Sequence, residues 1–261
     1  MEGAEQGNSE VFSRREYSRP DFWNDRFRES PHAFDWYVTW KELRKFLLIL
    51  AHPEDCPSVL MVGCGSSTLS ADMGKVGYDV TNIDISDVAL GQMGERTGQE
   101  GVQMDAAKCA FRDGSFDLVL DKGTFDALAC AEGSQLPDLI VSEMGRLARN
   151  TVIIITHGRP ELRQARFESS LAASGPWRCR ALKCELSPMS QFINIMRSKY
   201  PDRSIASIFR DKEALATAVK AMAEYTEHKT VGEEAGEKRQ THCWVYLFLR
   251  PSRPQAGTEA K

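Results

Sequence analysis

A glycine-containing run and an aspartate downstream of it form the clearest pattern of residues that could bind a ligand. The run VGCGSS follows a short apolar stretch and contains Gly63 and Gly65. Glycine has no Cβ, so a ligand can approach the backbone closely, and a helix beginning after the run would present free N–H groups. Asp84 lies 21 residues after Gly63, the spacing of an acid that accepts hydrogen bonds from ribose hydroxyls. The pair favours an adenosine-containing ligand over the structural alternative, a strand-to-helix turn with a capping aspartate.

The kind of adenosine ligand depends on the rest of the motif. A dinucleotide fingerprint has a third glycine at its sixth position, and Thr68 occupies that position here. S-adenosylmethionine has no pyrophosphate to place there, so the change favours it over NAD. Asp105 follows Asp84 by 21 residues and could accept a hydrogen bond from the adenine amino group, although alone it indicates only an acid at the start of a loop.

These residues require strands that end where the motifs begin. Apolar or β-branched runs predict five strands, at residues 58–63, 79–84, 101–105, 116–121 and 151–156. Helical signals separate them, including the N-cap residue Ser86 and a helical period of apolar residues from Leu136 to Leu147, in a helix expected to end at Asn150. Strands that alternate with helices predict a mostly parallel sheet covered on both faces, with ligands at the carboxyl ends of its strands.

The rest of the chain predicts one domain with polar ends. The expected divisions are a flexible N-terminus (1–16), a single domain (17–250) that includes an aromatic-rich cap (17–57) and an inserted helical element and loop (182–241), and a flexible tail (251–261). Helical spacing of apolar residues predicts one helix over 40–50, inside the cap, and another over 215–225, inside the insert. Further strands are predicted at 177–181 and 243–249.

The composition excludes several classes of protein. The 261 residues are 42% hydrophobic and 27% charged, with a net charge of −4, which is typical of a globular chain and unlike a disordered, collagen-like or DNA-coating protein. No apolar run approaches the roughly 18 residues of a membrane-spanning helix, and the acidic start predicts no secretory signal. Seven cysteines without a C-x-x-C pair and five scattered histidines indicate reduced thiols and no metal site. We therefore expect a cytoplasmic protein with no nucleic-acid or membrane partner.

Four stretches resemble the class I S-adenosylmethionine-dependent methyltransferases: VLMVGCGSSTLS, TNIDIS, VQMDA and DGSFDLVLDKGTFDAL. DKGTFDAL, together with the FDWY of DFWNDRFRESPHAFDWYVTW, resembles the branch that contains the elongation factor 1-alpha lysine methyltransferases and the endothelin-converting-enzyme-2-like methyltransferase. The resemblance runs from about Asp21 to Arg159, and residues 243–249 are similar to the final strand of the fold. It implies an α/β fold with a seven-stranded Rossmann-like sheet, mostly parallel with an antiparallel last strand, and helices on both faces. It also implies S-adenosyl-L-methionine as cofactor, S-adenosyl-L-homocysteine as product, and a protein-lysine acceptor such as elongation factor 1-alpha.

The resemblance further implies which residues bind the cofactor. The matching positions are Trp23, Phe27, Trp36, Gly63, Cys64, Gly65, Asp84, Ile85, Asp105, Ala106 and Lys122. Asp84 would hold the ribose, with Ile85 beside the adenine. Asp105 and Ala106 would contact the adenine edge, and Lys122 would lie beside the methionine part.

Some of these positions have structural alternatives. Phe27 replaces the tyrosine usual in the branch, and Val62 stands where many class I enzymes have an acid. The aromatic residues could instead form a packing cap, because aromatic rings bury large areas. Lys122 could instead be a surface lysine paired with Asp121 or Asp126.

The chemistry that the resemblance implies needs few acid–base groups. Methyl transfer from a sulfonium depends mostly on alignment of the reacting atoms, but a lysine ammonium, with an ordinary pKa of about 10.4, must first lose a proton. The sequence identifies no catalytic base, and Cys64, which has no histidine near it, is interpreted as a loop filler. Acceptor-side candidates are residues 122–125 and 157–160 and, in the insert, the basic residues Arg197, Lys199, Arg203, Arg210 and Lys212. A small-molecule methyltransferase, an aminopropyl transferase and a non-catalytic scaffold are the alternative functions.

Overall fold

The computed structural model describes residues 17–29, 35–131, 133–185 and 242–251, together with Tyr200, Glu213 and Thr217. One seven-stranded sheet contains β1 (Ser58–Val62), β2 (Asp79–Asp84), β3 (Gly101–Gln103), β4 (Phe116–Lys122), β5 (Ala148–Thr156), β6 (Arg178–Glu185) and β7 (His242–Leu249). The strand order is β3-β2-β1-β4-β5-β7-β6. Strands β1 to β5 pair in parallel, and β7 runs antiparallel to both β5 and β6. The predicted mostly parallel sheet with an antiparallel last strand is confirmed.

Helices alternate with the strands and cover the sheet. They are α1 (Pro20–Glu29), α2 (Trp40–Leu50), α3 (Leu69–Gly74), α4 (Asp87–Thr97), α5 (Thr124–Ala129), α6 (Leu136–Leu147) and α7 (Pro160–Leu171). Ser86 caps α4 as predicted, because its side chain accepts a hydrogen bond from the Ala89 N–H. The sequence pattern does not predict α1, α5 or α7. In α7 the buried residues are Phe167 and Leu171, which are too few to produce a visible helical period.

Two apolar layers fix the positions of the strand ends. On one face of the sheet, Leu43 and Leu47 from α2 pack with Met73 from α3. On the other face, Met144 from α6 packs with Phe167 from α7. Each fully buried side chain of this size stabilises the fold by about 1.5–3 kcal/mol. Strand β4 is buried at every position, as expected for a central parallel strand.

The N-terminal helix lies against the helix that follows β2. The Gln92 side-chain amide donates a hydrogen bond of 2.8 Å to the Phe27 carbonyl oxygen, and the Ser86 hydroxyl donates one of 2.6 Å to the Asn24 side chain. Since α1 itself has no buried residue, these contacts with α4 position it. The aromatic-rich segment is thereby held near the carboxyl end of β2.

Several element boundaries differ from those expected. Strand β5 begins at Ala148 because Ala148 already pairs with Phe116 of β4, so residues 148–150 belong to the sheet and not to the preceding helix. Strand β3 ends at Gln103, so Asp105 lies in the loop after the strand. Strand β6 continues through Glu185 because it pairs with β7 as far as His242, so residues 182–185 belong to the sheet and not to the insert. Outside the described residues lie residues 1–16, most of the predicted helix over 215–225, the basic insert residues Arg197, Lys199, Arg203, Arg210 and Lys212, and residues 252–261.

Candidate functional site

The glycine loop (residues 63–68) leaves β1 at the carboxyl edge of the sheet. Gly63 and Gly65 have φ values of +57° and +56°, in the left-handed region that favours glycine. A Cβ at Gly63 would also collide with the side chain of Thr124 at the start of α5. Cys64 is buried, and burial raises the pKa of its thiol well above the ordinary value. The Cys64 thiol is therefore protonated at neutral pH.

Asp84 connects the glycine loop to the start of α4. Its Oδ2 accepts a hydrogen bond of 2.8 Å from the Gly65 N–H, and its Oδ1 accepts one of 2.9 Å from the Ser86 N–H. Burial raises the pKa of this carboxyl, and the backbone donors partly oppose the rise. Each carboxylate oxygen has two lone pairs, so Asp84 can accept ligand hydroxyls while it holds the loop.

The loops after β2 and β3 continue the same edge. Ile85 is half-buried, and its carbonyl oxygen accepts a hydrogen bond of 3.0 Å from the Gln103 side chain. Asp105 is exposed, and its Oδ1 accepts a hydrogen bond of 2.9 Å from the Ala107 N–H. Asp105 thus starts a loop, as its structural alternative predicts, and half-buried Ala106 follows it. The hydrogen bond to Ile85 brings the two loops together.

Trp23, Phe27 and Trp36 lie close together in the N-terminal cap. The rings of Trp23 and Phe27 are 6.1 Å apart. The Arg26 guanidinium lies 5.9 Å from the Trp23 ring and 5.8 Å from the Trp36 ring. Phe27 also covers the glycine loop, since a Cβ at Gly65 would lie 3.4 Å from its Cζ. The Trp23 and Phe27 rings are therefore neighbours, Arg26 connects Trp23 to Trp36, and Phe27 shields the glycine loop.

Lys122 is buried at the end of β4, with 7% of the residue exposed. Its Nζ lies 2.9 Å from Oδ1 of Asp35, and the same carboxylate accepts a hydrogen bond from the Ser67 hydroxyl. The alternative of a surface lysine paired with Asp121 or Asp126 is wrong, because the partner belongs to the N-terminal cap. Asp35 was not among the predicted site residues, although it lies in the FDWY motif.

A polar cluster lies beyond Lys122, at the carboxyl ends of β4 and β5. It consists of Tyr37, Asp126, Thr156, His157 and Arg163. Oδ2 of Asp126 accepts hydrogen bonds from the Tyr37 hydroxyl (2.8 Å) and from the backbone N–H of His157 (3.0 Å). Oδ1 of Asp126 accepts one from the Thr156 hydroxyl (2.7 Å), and Arg163 lies 3.5 Å from the same oxygen. The segments around Lys122 and His157, predicted as acceptor-side candidates, therefore meet at this edge.

Two carboxyl groups at this edge have opposite pKa shifts. Burial alone would raise the pKa of Asp126, but hydrogen bonds from His157, Thr156 and Tyr37 hold it below its ordinary value. Asp121 is fully buried beside it, and burial, with a smaller contribution from Asp126, raises the pKa of Asp121 to about 7. Asp126 is therefore the ionised carboxylate of the pair at neutral pH.

Known proteins with similar sequences define the class of this protein. The family model described as "Methyltransferase domain" matches residues 60–156. The "eEF1A lysine and N-terminal methyltransferase" of Danio rerio is 39% identical over 139 residues, which cover 51% of this chain and 20% of that protein. The "EEF1A lysine methyltransferase 4" of Mus musculus is 30% identical over 181 residues, which cover 60% of this chain and 69% of that protein. By sequence, the chain therefore belongs among the methyltransferases.

The particular branch follows from the second relative. The chain belongs to the methyltransferase family that includes EEF1A lysine methyltransferase 4, and the resemblance seen in the sequence is confirmed. The matched part of this chain spans about a fifth of the length of the Danio rerio relative. Among solved structures, the phosphoethanolamine N-methyltransferase 2 of Haemonchus contortus with bound S-adenosyl-L-methionine has a TM-score of 0.54 and 16% identity. That match covers 93% of this chain and 61% of that one, and it supports the fold alone.

The described ranges contain neither a candidate metal site nor a helix that could span a membrane. No group of three or more histidine, cysteine, aspartate and glutamate side chains there could hold a metal ion. No helix in the same ranges has the length and apolar character needed to cross a membrane.

Proposed function

We propose that this chain is a protein-lysine N-methyltransferase that uses S-adenosyl-L-methionine and acts on an elongation factor 1-alpha-like protein. The acceptor is inferred from the names of the Danio rerio and Mus musculus relatives, and the Danio rerio protein is about five times longer than the region that matches this chain. The observation that carries the proposal is the double hydrogen bond of Asp84 to Gly65 and Ser86. These bonds hold an acid and the glycine loop side by side, the arrangement expected for an adenosine ligand.

The residues present fit S-adenosylmethionine. We assign the ribose to Asp84 and the adenine to Ile85, Asp105 and Ala106. The loop glycines also let other parts of the chain pack closely, since a Cβ at Gly63 would collide with Thr124 and one at Gly65 would lie 3.4 Å from Phe27. When bound, this cofactor supplies a methyl group activated by the positive charge of its sulfonium.

We assign the methionine end of the cofactor to the neighbourhood of Lys122. The Lys122 ammonium is neutralised by Asp35 at 2.9 Å, so the pair adds little net repulsion towards a sulfonium cation. Trp23, Phe27 and Trp36 would cover the cofactor from the cap and reduce the access of water. The main task of these residues is to align the acceptor with the methyl group, which is where most of the rate enhancement of a transfer reaction can arise.

An amine acceptor suits the polar cluster beyond Lys122. The ionised Asp126 is buried behind the half-exposed His157, so the cluster presents a polar side chain that a lysine at this edge could contact. The acceptor would be a protein that brings one lysine to the cluster. We further propose that the protein works in the cytoplasm, without a nucleic-acid or membrane partner.

Calorimetry on the purified full chain tests the cofactor, and a transfer assay tests the acceptor. We expect micromolar binding of S-adenosylmethionine and S-adenosylhomocysteine, no binding of NAD, and weaker binding of decarboxylated S-adenosylmethionine. Unmethylated elongation factor 1-alpha made in bacteria should then acquire a tritiated methyl group on a lysine located by mass spectrometry. Binding without transfer to a lysine would contradict the acceptor, and a preference for the decarboxylated compound would support an aminopropyl transferase. Failure to bind either sulfur compound would favour a non-catalytic scaffold.

A further inference from the structure

A buried carboxylate holds a half-exposed histidine at the carboxyl ends of β4 and β5. Nδ1 of His157 lies 3.0 Å from Oδ2 of Asp126 and 3.2 Å from the Tyr37 hydroxyl oxygen. The side chain of Asp126 is 5% exposed and that of His157 is 43% exposed. We propose that His157 accepts the proton that a lysine ammonium loses before methyl transfer, and that Asp126 and Tyr37 position its ring. This inference rests on the proposed function and assigns a residue to its proton-transfer step.

The hydrogen-bond network assigns the protonation of the ring. The Tyr37 hydroxyl donates its hydrogen to Oδ2 of Asp126, and a carboxylate can only accept. Nδ1 of His157 must therefore carry a hydrogen, since a lone pair there would face the Asp126 carboxylate at 3.0 Å. In the neutral ring the lone pair is then on Nε2, by assignment from the network. A carboxylate behind Nδ1 also stabilises the imidazolium that forms when Nε2 takes up a proton.

The pair lies next to the proposed methionine end of the cofactor. One short segment contains both Asp35, which contacts Lys122, and Tyr37, which contacts the Asp126–His157 pair. This segment crosses the turn after β4, because a Cβ at Gly123 would lie 3.3 Å from the Trp36 side chain and 3.5 Å from the Tyr37 ring. The proton acceptor and the cofactor residues are therefore joined by three consecutive residues of the cap.

The proposed step conserves protons and electrons. The acceptor ammonium transfers one proton to Nε2 of His157, which leaves a neutral amine and an imidazolium. The lone pair of the amine then forms a bond with the methyl carbon, and the carbon–sulfur bond breaks with its electron pair going to sulfur. The products are a methylated ammonium and the thioether S-adenosylhomocysteine. The imidazolium afterwards releases its proton to solvent, to which the ring is partly exposed.

The charges around the ring favour this direction of transfer. Among the described residues, the titratable or charged groups around the Asp126–His157 pair include Asp121 on β4, Tyr37 in the cap, Arg159 and Arg163 after β5, and Cys243 on β7. Asp126 is the ionised acid in contact with the ring, while burial holds most of Asp121 protonated below about pH 7. Burial also raises the pKa of Tyr37 well above its ordinary value, with Asp126 adding to the rise, so Tyr37 acts as a neutral donor. Partial desolvation of the lysine lowers its pKa towards that of an imidazole.

The pH dependence of methyl transfer to unmethylated elongation factor 1-alpha tests the proposal. For the unaltered protein, log kcat/KM should rise at low pH and level off within the range pH 5–8, where imidazoles titrate. For His157→Gln we expect a loss of about 100-fold to 10,000-fold at pH 7, the usual contribution of a general base. The loss should shrink towards pH 9.5, because more of the acceptor amine is then already deprotonated. His52→Gln is the matched control, since its side chain is 42% exposed and lies in the loop after α2.

Three further readouts separate the proposal from a structural role. S-adenosylhomocysteine affinity and the melting temperature should be close to normal in His157→Gln. Asp126→Asn should lower kcat more than it raises KM, because it acts through the ring. A loss in His157→Gln that is equal at pH 7 and pH 9.5, or a profile that still levels off below pH 8, overturns the assignment. If the unaltered protein binds S-adenosylhomocysteine but methylates no lysine, the proposed function itself fails and the assignment falls with it.

Discussion

Asp35 and Lys122 form an ion pair with 2.9 Å between Oδ1 and Nζ, and the lysine side chain is only 6% exposed. The pair joins the N-terminal cap to the end of β4, and Asp35 extends the link to the glycine loop through Ser67. A cap residue therefore neutralises the buried cation of the proposed cofactor site.

Removal of Asp35 should be costly because it leaves the buried ammonium without its counter-charge. We expect Asp35→Ala to lower the free energy of unfolding by about 3 kcal/mol, the usual cost of breaking a buried pair. The double variant Asp35→Ala/Lys122→Met should be more stable than Asp35→Ala alone. Asp72→Ala is the control, since its partner Lys75 is 73% exposed and such pairs contribute less than about 1 kcal/mol. Urea denaturation without cofactor measures all four proteins, and equal costs for Asp35→Ala and Asp72→Ala would contradict the argument.

Asp84 should matter for the cofactor far more than its exposed neighbour Asp87. We expect Asp84→Asn to weaken S-adenosylhomocysteine binding by about 10-fold to 100-fold, because hydrogen bonds to a charged group contribute about 1.5–3 kcal/mol each. Asp87 lies in the first turn of α4, and the variant Asp87→Asn should bind S-adenosylhomocysteine with normal affinity. Calorimetry at one pH compares the two variants, and matching affinities would remove Asp84 from the site.

Part of this site could be predicted from the sequence because it depends on local spacing. Parallel strands end at the same edge of a sheet, so the pairing of β1 with β2 brings Gly63 and Asp84 close together. The Gly65 N–H can then donate its hydrogen bond to the Asp84 carboxylate. The alternation of apolar runs and helical periods predicted most of the sheet for the same reason. Helix α7 was missed because most of its surface is polar.

The long-range pairs could not be predicted in this way. Asp35 and Lys122 are 87 residues apart, and Asp126 and His157 are 31 apart. The first contact depends on the path of the cap across the turn after β4, and the second depends on the pairing of β4 with β5. The spacing of residues along the chain encodes neither. The FDWY and DKGTFDAL motifs nevertheless contain Asp35, Tyr37 and Asp126. The motifs therefore pointed to these residues, although the sequence analysis assigned them no role in the site.

Gly63 should tolerate no side chain, for reasons of space beyond its backbone conformation. Gly98 is the matched control because it also has a positive φ, of +69°, but open space around its Cβ position. We expect Gly98→Ala to cost roughly 1–2 kcal/mol, the penalty of the left-handed region, and Gly63→Ala to cost clearly more. Thr124→Gly should be less harmful in the Gly63→Ala background than alone, since Thr124 is the colliding residue. Unfolding free energies from the complete cycle measure this coupling, and strictly additive values would exclude the collision.

Asp121 should make the protein less stable as the pH rises through the weakly acidic range. Its pKa in the folded protein is about 7 because of burial, against an ordinary value of 3.8. Between these values the folded protein keeps a proton that the unfolded chain has released, so the free energy of unfolding falls with increasing pH. The slope from this one group is at most about 1.4 kcal/mol per pH unit, and the effect is complete above about pH 7.

The variant Asp121→Asn isolates this contribution, because an amide does not titrate in the range. The stability of Asp121→Asn relative to the unaltered protein should increase from pH 4 to pH 7 and stay constant above. Asp126→Asn is the control with the opposite sign, since the pKa of Asp126 lies below its ordinary value. The Asp126 charge stabilises the fold at pH values above the pKa of the unfolded chain, and this effect is lost only as the pH falls through the lower pKa of the folded protein. The difference in unfolding free energy between Asp126→Asn and the unaltered protein should therefore stay flat between pH 5 and pH 8. Urea denaturation across this range gives both curves. If the difference in unfolding free energy between Asp121→Asn and the unaltered protein is flat between pH 4 and pH 7, the Asp121 carboxyl is ionised throughout that range. The hydrogen bonds that the Thr124 and Phe125 N–H groups donate to it would then outweigh the effect of burial on its pKa.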